Sequence, residues 1–169
     1  MYRLQLIRQV DGPWQKLDPI SVGRTSNSPD TCILVERHEQ PFARIDIDDW
    51  HVGPFTDAVI WKRYVVIGFG EWVYLVDPST REKHSFQCDG YFGHLYPLEE
   101  FVLVASADDL FSINENAELV WRSTGLAIDG VVVNHVENGV IYGEGEWDPP
   151  GDWREFKLSL ADGQSISVE

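Results

Sequence analysis

Glu71, Asp108, Asp109, Glu144 and Glu146 follow or interrupt short runs of small residues, and at two of these places a tryptophan, Trp72 or Trp147, stands beside them. Carboxylates next to an indole suit two kinds of chemistry: the paired acids of a sugar-processing site, and recognition of a cation against an aromatic face. The plain structural alternative is a set of solvated charges that keep strand edges from pairing with other chains. A second group lies in residues 146–155, EWDPPGDWRE. There Trp147, Asp148, Trp153 and Arg154 combine two rigid indoles with an arginine, a composition enriched in binding hot spots. The alternative for this loop is a cap whose indoles pack over one end of the domain.

Other chemistries find no constellation. Cys32 and Cys88 have neither C-x-x-C spacing nor a nearby histidine pair, so they read as buried free thiols rather than a zinc knuckle or redox motif. Asp46, Asp48, Asp49 and His51 form the one local group with donors suited to calcium or magnesium. Their spacing is not that of an EF-hand and no glycine stands at the required turn, so no metal is expected. His38, His84, His94 and His135 are scattered singly, and no serine sits in a G-x-S-x-G elbow. No cofactor is expected, and the reading leans away from an enzyme.

Composition narrows the setting. A chain of 169 residues suits one domain and, at this size, roughly 70% of its unfolded surface can be buried without a metal or disulfide staple. Against 28 Asp and Glu there are only 13 Lys and Arg, a net charge of −15. Nucleic acid and anionic membrane surfaces are therefore not expected partners, because phosphate contacts need clustered cations. A basic protein partner, or solubility alone, accounts for the excess. Residues 1–10 alternate polar and apolar types and lack the layout of a signal peptide, and no apolar run approaches the length of about 18 residues expected of a membrane span. Cytoplasmic residence is the default expectation.

The elements that must position these residues are strands. Apolar runs are short, rich in Val, Ile, Tyr, Phe and Trp, and broken by Gly, Pro, Asn and Asp. Within residues 42–48, Arg44, Asp46 and Asp48 share one face, while Ile45 and Ile47 share the other. Asp-Pro pairs at Asp18, Asp77 and Asp148 mark turns. Self-similarity is the strongest feature: YVVIGFGEW (64–72), FVLVASADD (101–109) and GVIYGEGEW (139–147) align on Gly68, Ala105 and Gly143, 37 and 38 residues apart. Each copy runs from an apolar strand into a small-x-small triplet and then carboxylate-bearing residues. A further strand follows (VYLVD, LFSIN and, after an insertion near 148–154, EFKLSL), then a turn and a last strand. Glycine within a strand is unfavourable unless close approach or a bulge requires it, so the triplets predict tight packing, or approach of a ligand, at these points. They are not phosphate loops, since no helix follows.

On these repeats, residues 57–169 resemble β-propeller blades of the PQQ-like and WD type, with LFSINENAELVW (110–121) and LSLADGQSISV (158–168) similar to an inner blade hairpin. The Gly-His and Trp-Asp signatures of WD-type blades are missing, as is a complete pyrroloquinoline-quinone repeat signature, so no cofactor site carries over. The expectation is a single all-β domain over 1–169, a small or partial β-propeller-like repeat domain of antiparallel strands. Residues 1–56 form a divergent N-terminal β region in this reading, and a β-sandwich or irregular barrel is the alternative. Three function classes follow: a non-enzymatic acidic interaction module, of the size and charge of immunity or inhibitor-type proteins, binding a basic partner; a carbohydrate-binding domain or vestigial glycosidase; and a structural subunit that completes an oligomeric propeller.

Overall fold

Described over residues 2–24, 29–48 and 53–167 by a computed structural model, the chain turns its short apolar runs into four small sheets that follow one another in sequence. The first joins β1 (Tyr2–Ile7), β2 (Ile20–Gly23), β3 (Thr31–Arg37) and β4 (Gln40–Asp48) in the order β1-β3-β4-β2. Its one departure from antiparallel pairing is the parallel contact of β2 with β4. A short 3-10 turn, Gly12–Lys16, packs against β4 and buries Trp14.

Three meanders come next. The second sheet holds β5 (Thr56–Trp61), β6 (Tyr64–Phe69), β7 (Trp72–Val76) and β8 (Lys83–Gln87), and the third holds β9 (Phe92–Pro97), β10 (Phe101–Ser106), β11 (Leu110–Asn114) and β12 (Leu119–Ser123). The fourth consists of β13 (Val131–Glu137), β14 (Val140–Glu146) and β15 (Trp153–Ser159), with Ser165 bridging back to Leu158 where a fourth strand would lie. The fold is thus all-β, four small sheets with no closed barrel, an arrangement consistent with a partial propeller-like or a sandwich domain. The triplets of the sequence repeat fall on the second strand of each meander or in the turn that follows it.

Packing explains why the second strands are continuous apolar runs. Tyr64 and Val66 of β6 face the third sheet, whereas Val65, Ile67 and Phe69 face the first; all are buried. Likewise Val102 and Val104 of β10 meet the second sheet, and Leu103 and Ala105 meet the fourth. A strand buried on both faces has no solvent side to mark with polar residues. The first strands lie side by side in series, β1 by β5, β5 by β9 and β9 by β13.

Gly68 accounts for close approach in the second sheet. A Cβ built there would fall 2.1 Å from Cε2 and Cζ of Phe92, a wholly buried residue of the third sheet. The third copy departs from the sequence alignment. Ile141, on the face shared with Gly143, packs back toward the third sheet, whereas Val66 and Leu103 face the sheet that follows. Gly143 takes the ring of Phe156 and Gly145 takes the carbonyl of Leu126. The buried face is thus displaced by one residue relative to β10, and among the described residues no further sheet packs on β14. Its opposite face, with Tyr142, Glu144 and Glu146, carries no core cluster.

Gly68→Ala is expected to destabilise the fold by about 1–3 kcal/mol through overpacking. In a Phe92→Ala background the same change should cost much less, because the obstructing ring is gone. Denaturant melts of the four proteins check this, and equal costs in both backgrounds would show that Phe92 is not what Gly68 accommodates.

Candidate functional site

Short segments lead into each first strand, and they converge. Phe55 precedes β5, Tyr91 precedes β9, and Asp129 and Gly130 precede β13. Together with His94, Glu146 and Trp153 they line a cleft of about 370 Å³. The rings of Phe55 and His94 are 5.2 Å apart, and those of Phe55 and Tyr91 6.1 Å, both tilted. The Tyr91 hydroxyl donates to the carbonyl of Asp129 at 2.6 Å and lies 3.1 Å from its carboxylate. Burial, followed by that carboxylate contact, pushes the Tyr91 hydroxyl up to about 12. Backbone bonds fix the acids next to each other: the Glu146 amide donates to Gly130, and the Ile128 amide donates to Glu146. The Gly151 amide donates to Oε1 of Glu146 at 2.7 Å. Among the described residues, no lysine or arginine lines the cleft.

The 146–155 segment proves to be an extended hairpin. Glu146 pairs with Trp153, and the amides of Trp147 and Asp148 continue the ladder to Asp152 and Gly151, leaving Pro149 and Pro150 at the tip. Alternation along the two strands then separates the tryptophans. Trp153, 46% exposed, shares the cleft face with Glu146. Trp147 is turned to the other face, where the Arg154 guanidinium lies 5.2 Å above its ring and Asp152 forms an ion pair with Arg154. Asp148 is exposed at the tip.

The remaining residues singled out by their sequence context are not gathered at one site. Glu71 stands in the β6–β7 turn, its carbonyl accepting the Cys88 amide, and Trp72 packs on the core between the first two sheets, stacked with Tyr74 at 6.5 Å. Asp108 is a connector: its carboxylate accepts the Gly125 amide and its carbonyl the Leu126 amide. Asp109 is completely buried and is no surface ligand. Its Oδ1 is held by the Ser106 hydroxyl, and Nη1 of Arg122 lies 2.9 Å from Oδ2, close enough for an ion pair though not aligned as a hydrogen bond. Arg122 also donates to the Gln87 carbonyl at 2.6 Å and stacks 4.4 Å over Phe111, so the cluster clamps the second sheet to the third. Glu144 lies on the open face of the fourth sheet, directly opposite Glu155.

Asp46 and Asp48 are each engaged by an arginine, Arg44 and Arg24 respectively, which neutralises the oxygens a cation would need. Asp49 and His51 lie outside the described residues, and among those described no group of three metal-ligating side chains assembles. No described helix is long and apolar enough to cross a membrane. Phe55, Tyr91 and Asp129 escaped the sequence reading because it aligned the repeats on their second strands. The signal was present one strand earlier: these residues recur 36 and 38 positions apart, each just ahead of a first strand. No family model matches the chain, and no curated protein matches it.

Desolvation raises the Asp109 carboxyl above its ordinary value, outweighing Ser106 and Arg122. The folded state therefore holds this proton more tightly than the unfolded chain, and acidification favours folding at this residue. Between about pH 7 and about pH 4, the melting temperature of the native protein should rise relative to that of Asp109→Asn, the comparison cancelling all other carboxylates. A constant or falling difference would contradict the assignment. Burial also pushes the Cys32 thiol up to about 11 and the Cys88 thiol up to about 12. Both should resist iodoacetamide at mildly alkaline pH until the chain is unfolded, as read by mass spectrometry.

Proposed function

We propose that this chain is a non-enzymatic, acidic interaction module of the cytoplasm that binds a basic protein partner, in the manner of an immunity or inhibitor-type protein. The reading is carried by the direct opposition of Glu144 and Glu155 on the open face of the fourth sheet. Like charges facing each other across a strand pair disfavour the fold. Among the described residues, no lysine or arginine forms an ion pair with either. Six of the nine arginines, Arg24, Arg44, Arg63, Arg81, Arg122 and Arg154, pair with other carboxylates, and Lys157, on the same face as Glu155, lies 5.4 Å from the Tyr142 ring. Of the acidic residues behind the −15 charge, Glu144 and Glu155 lie on the fourth sheet next to the cleft with Trp153. Such a surface favours a cationic partner and speeds its encounter.

Capture of the tagged protein from its native lysate, washed in parallel at low and high salt, tests this. Exposed charges are screened over about 8 Å at physiological ionic strength, so one near-stoichiometric basic protein should be retained at low salt and lost at high salt. The Glu144→Gln, Glu155→Gln double variant should retain markedly less of it. Retention of no protein at either salt, or retention indifferent to the double variant, would overturn the reading and direct attention to glycans.

A further inference from the structure

We infer that the cleft between Phe55, Tyr91 and Trp153 receives an arginine side chain of that partner, its guanidinium against the aromatic walls and its N–H groups on Asp129 and Glu146. The inference rests on the interaction-module reading and names the group that this one site selects. Three features converge. Aromatic rings from three separate segments line it, with Phe55 6.1 Å from Tyr91 and the Trp153 ring passing over Gly130, where Cη2 would lie 3.8 Å from a built Cβ. Two carboxylates stand on neighbouring backbone, tied by the Glu146 amide to the Gly130 carbonyl. No cation within the chain answers them: among the described residues neither Asp129 nor Glu146 forms an ion pair, although six arginines pair elsewhere.

Guanidinium fits these features better than ammonium. Its plane stacks on aromatic faces, and its fork of donors reaches two acceptors while stacked; a lysine ammonium is a compact, strongly hydrated point charge. The site is also pre-set. The hydroxyl of Tyr91 is held by Asp129, and Glu146 is held by the Gly151 amide, so both acids are oriented before a ligand arrives. Glycine at 130 leaves the floor open beneath Trp153, its φ of +148° lying where other residues are strained. Beyond the rim, Glu144 and Glu155 extend the negative surface on the same face as Glu146 and Trp153, so a second basic residue near the anchoring arginine has a counter-charge.

The test uses the whole chain, isotopically labelled, and three amidated tripeptides, acetyl-Gly-X-Gly-amide with X arginine, citrulline or lysine. The arginine peptide should shift the Trp153 indole and Gly130 amide resonances saturably. Citrulline, the same shape without the charge, should bind at least tenfold more weakly, and lysine should be weaker than arginine. Asp129→Asn, Glu146→Gln and Trp153→Ala should each weaken arginine binding at least fivefold. Trp153→Phe, which keeps an aromatic wall, should retain most of it, and a dispersed amide spectrum certifies that each variant is folded. Equal response to citrulline, equal or stronger binding of lysine, absence of a saturable shift, or indifference to the three variants would overturn the assignment. The two readings fail separately. A basic partner captured by a protein that ignores the arginine peptide would leave the module standing without this anchor. Specific peptide binding with no basic partner in the lysate would keep the anchor and remove the module.

Discussion

Phe92 rests in space that any side chain at position 68 would fill, and much of the molecule is arranged around that contact. It sets how closely the second and third sheets approach, since a methyl group on Gly68 would meet the ring at 2.1 Å. With the ring seated, the Phe92 amide donates to the Gly70 carbonyl at 2.8 Å, anchoring the start of β9 to the β6–β7 turn. The residue just before it, Tyr91, is thereby delivered to the cleft, where its hydroxyl holds Asp129 at the entrance to β13. A packing contact in the core is in this way the origin of the geometry at the surface.

Serial packing also decides where polar chemistry goes. The second and third sheets are covered on both faces, so their middle strands exclude charge unless it is paired. Asp109 shows the cost: buried and held by Ser106 and Arg122, it still keeps its proton more readily than an ordinary aspartate. The same ion pair earns its place by reaching Gln87 in the neighbouring sheet. Charges without such partners are driven to turns, to edges and to the open face of the fourth sheet, where Glu144 and Glu155 oppose each other.

The cleft gathers segments from successive sheets. The stretches ahead of β5, β9 and β13 supply Phe55, Tyr91 and Asp129. Trp153 and Glu146 come from the long hairpin that joins β14 to β15. Because that hairpin keeps strand alternation almost to its tip, it sends one tryptophan to the cleft and the other away.

Much of the architecture was legible in the residues themselves. Apolar runs such as YVVIGF and FVLVAS, with turn residues between them, specify strands, and their recurrence specifies meanders that must stack to bury both faces. Composition alone carried the acidity, and the lengthened loop after β14 was marked by its prolines and tryptophans. Which carboxylates meet was not legible, because a strand's side chains alternate and a shift of one residue exchanges its faces. The matching pattern of GFG and GEG therefore concealed that Gly68 faces the next sheet while Gly143 turns back toward the preceding one. Nor does any local pattern distinguish Asp109 from Asp108; only the arrival of Arg122 from β12 and the cover of the neighbouring sheet make one a buried clamp and the other a surface connector. Local sequence determined the strands because propensity and alternation act between neighbours, and tertiary structure decided the site because its members touch only after the sheets have packed.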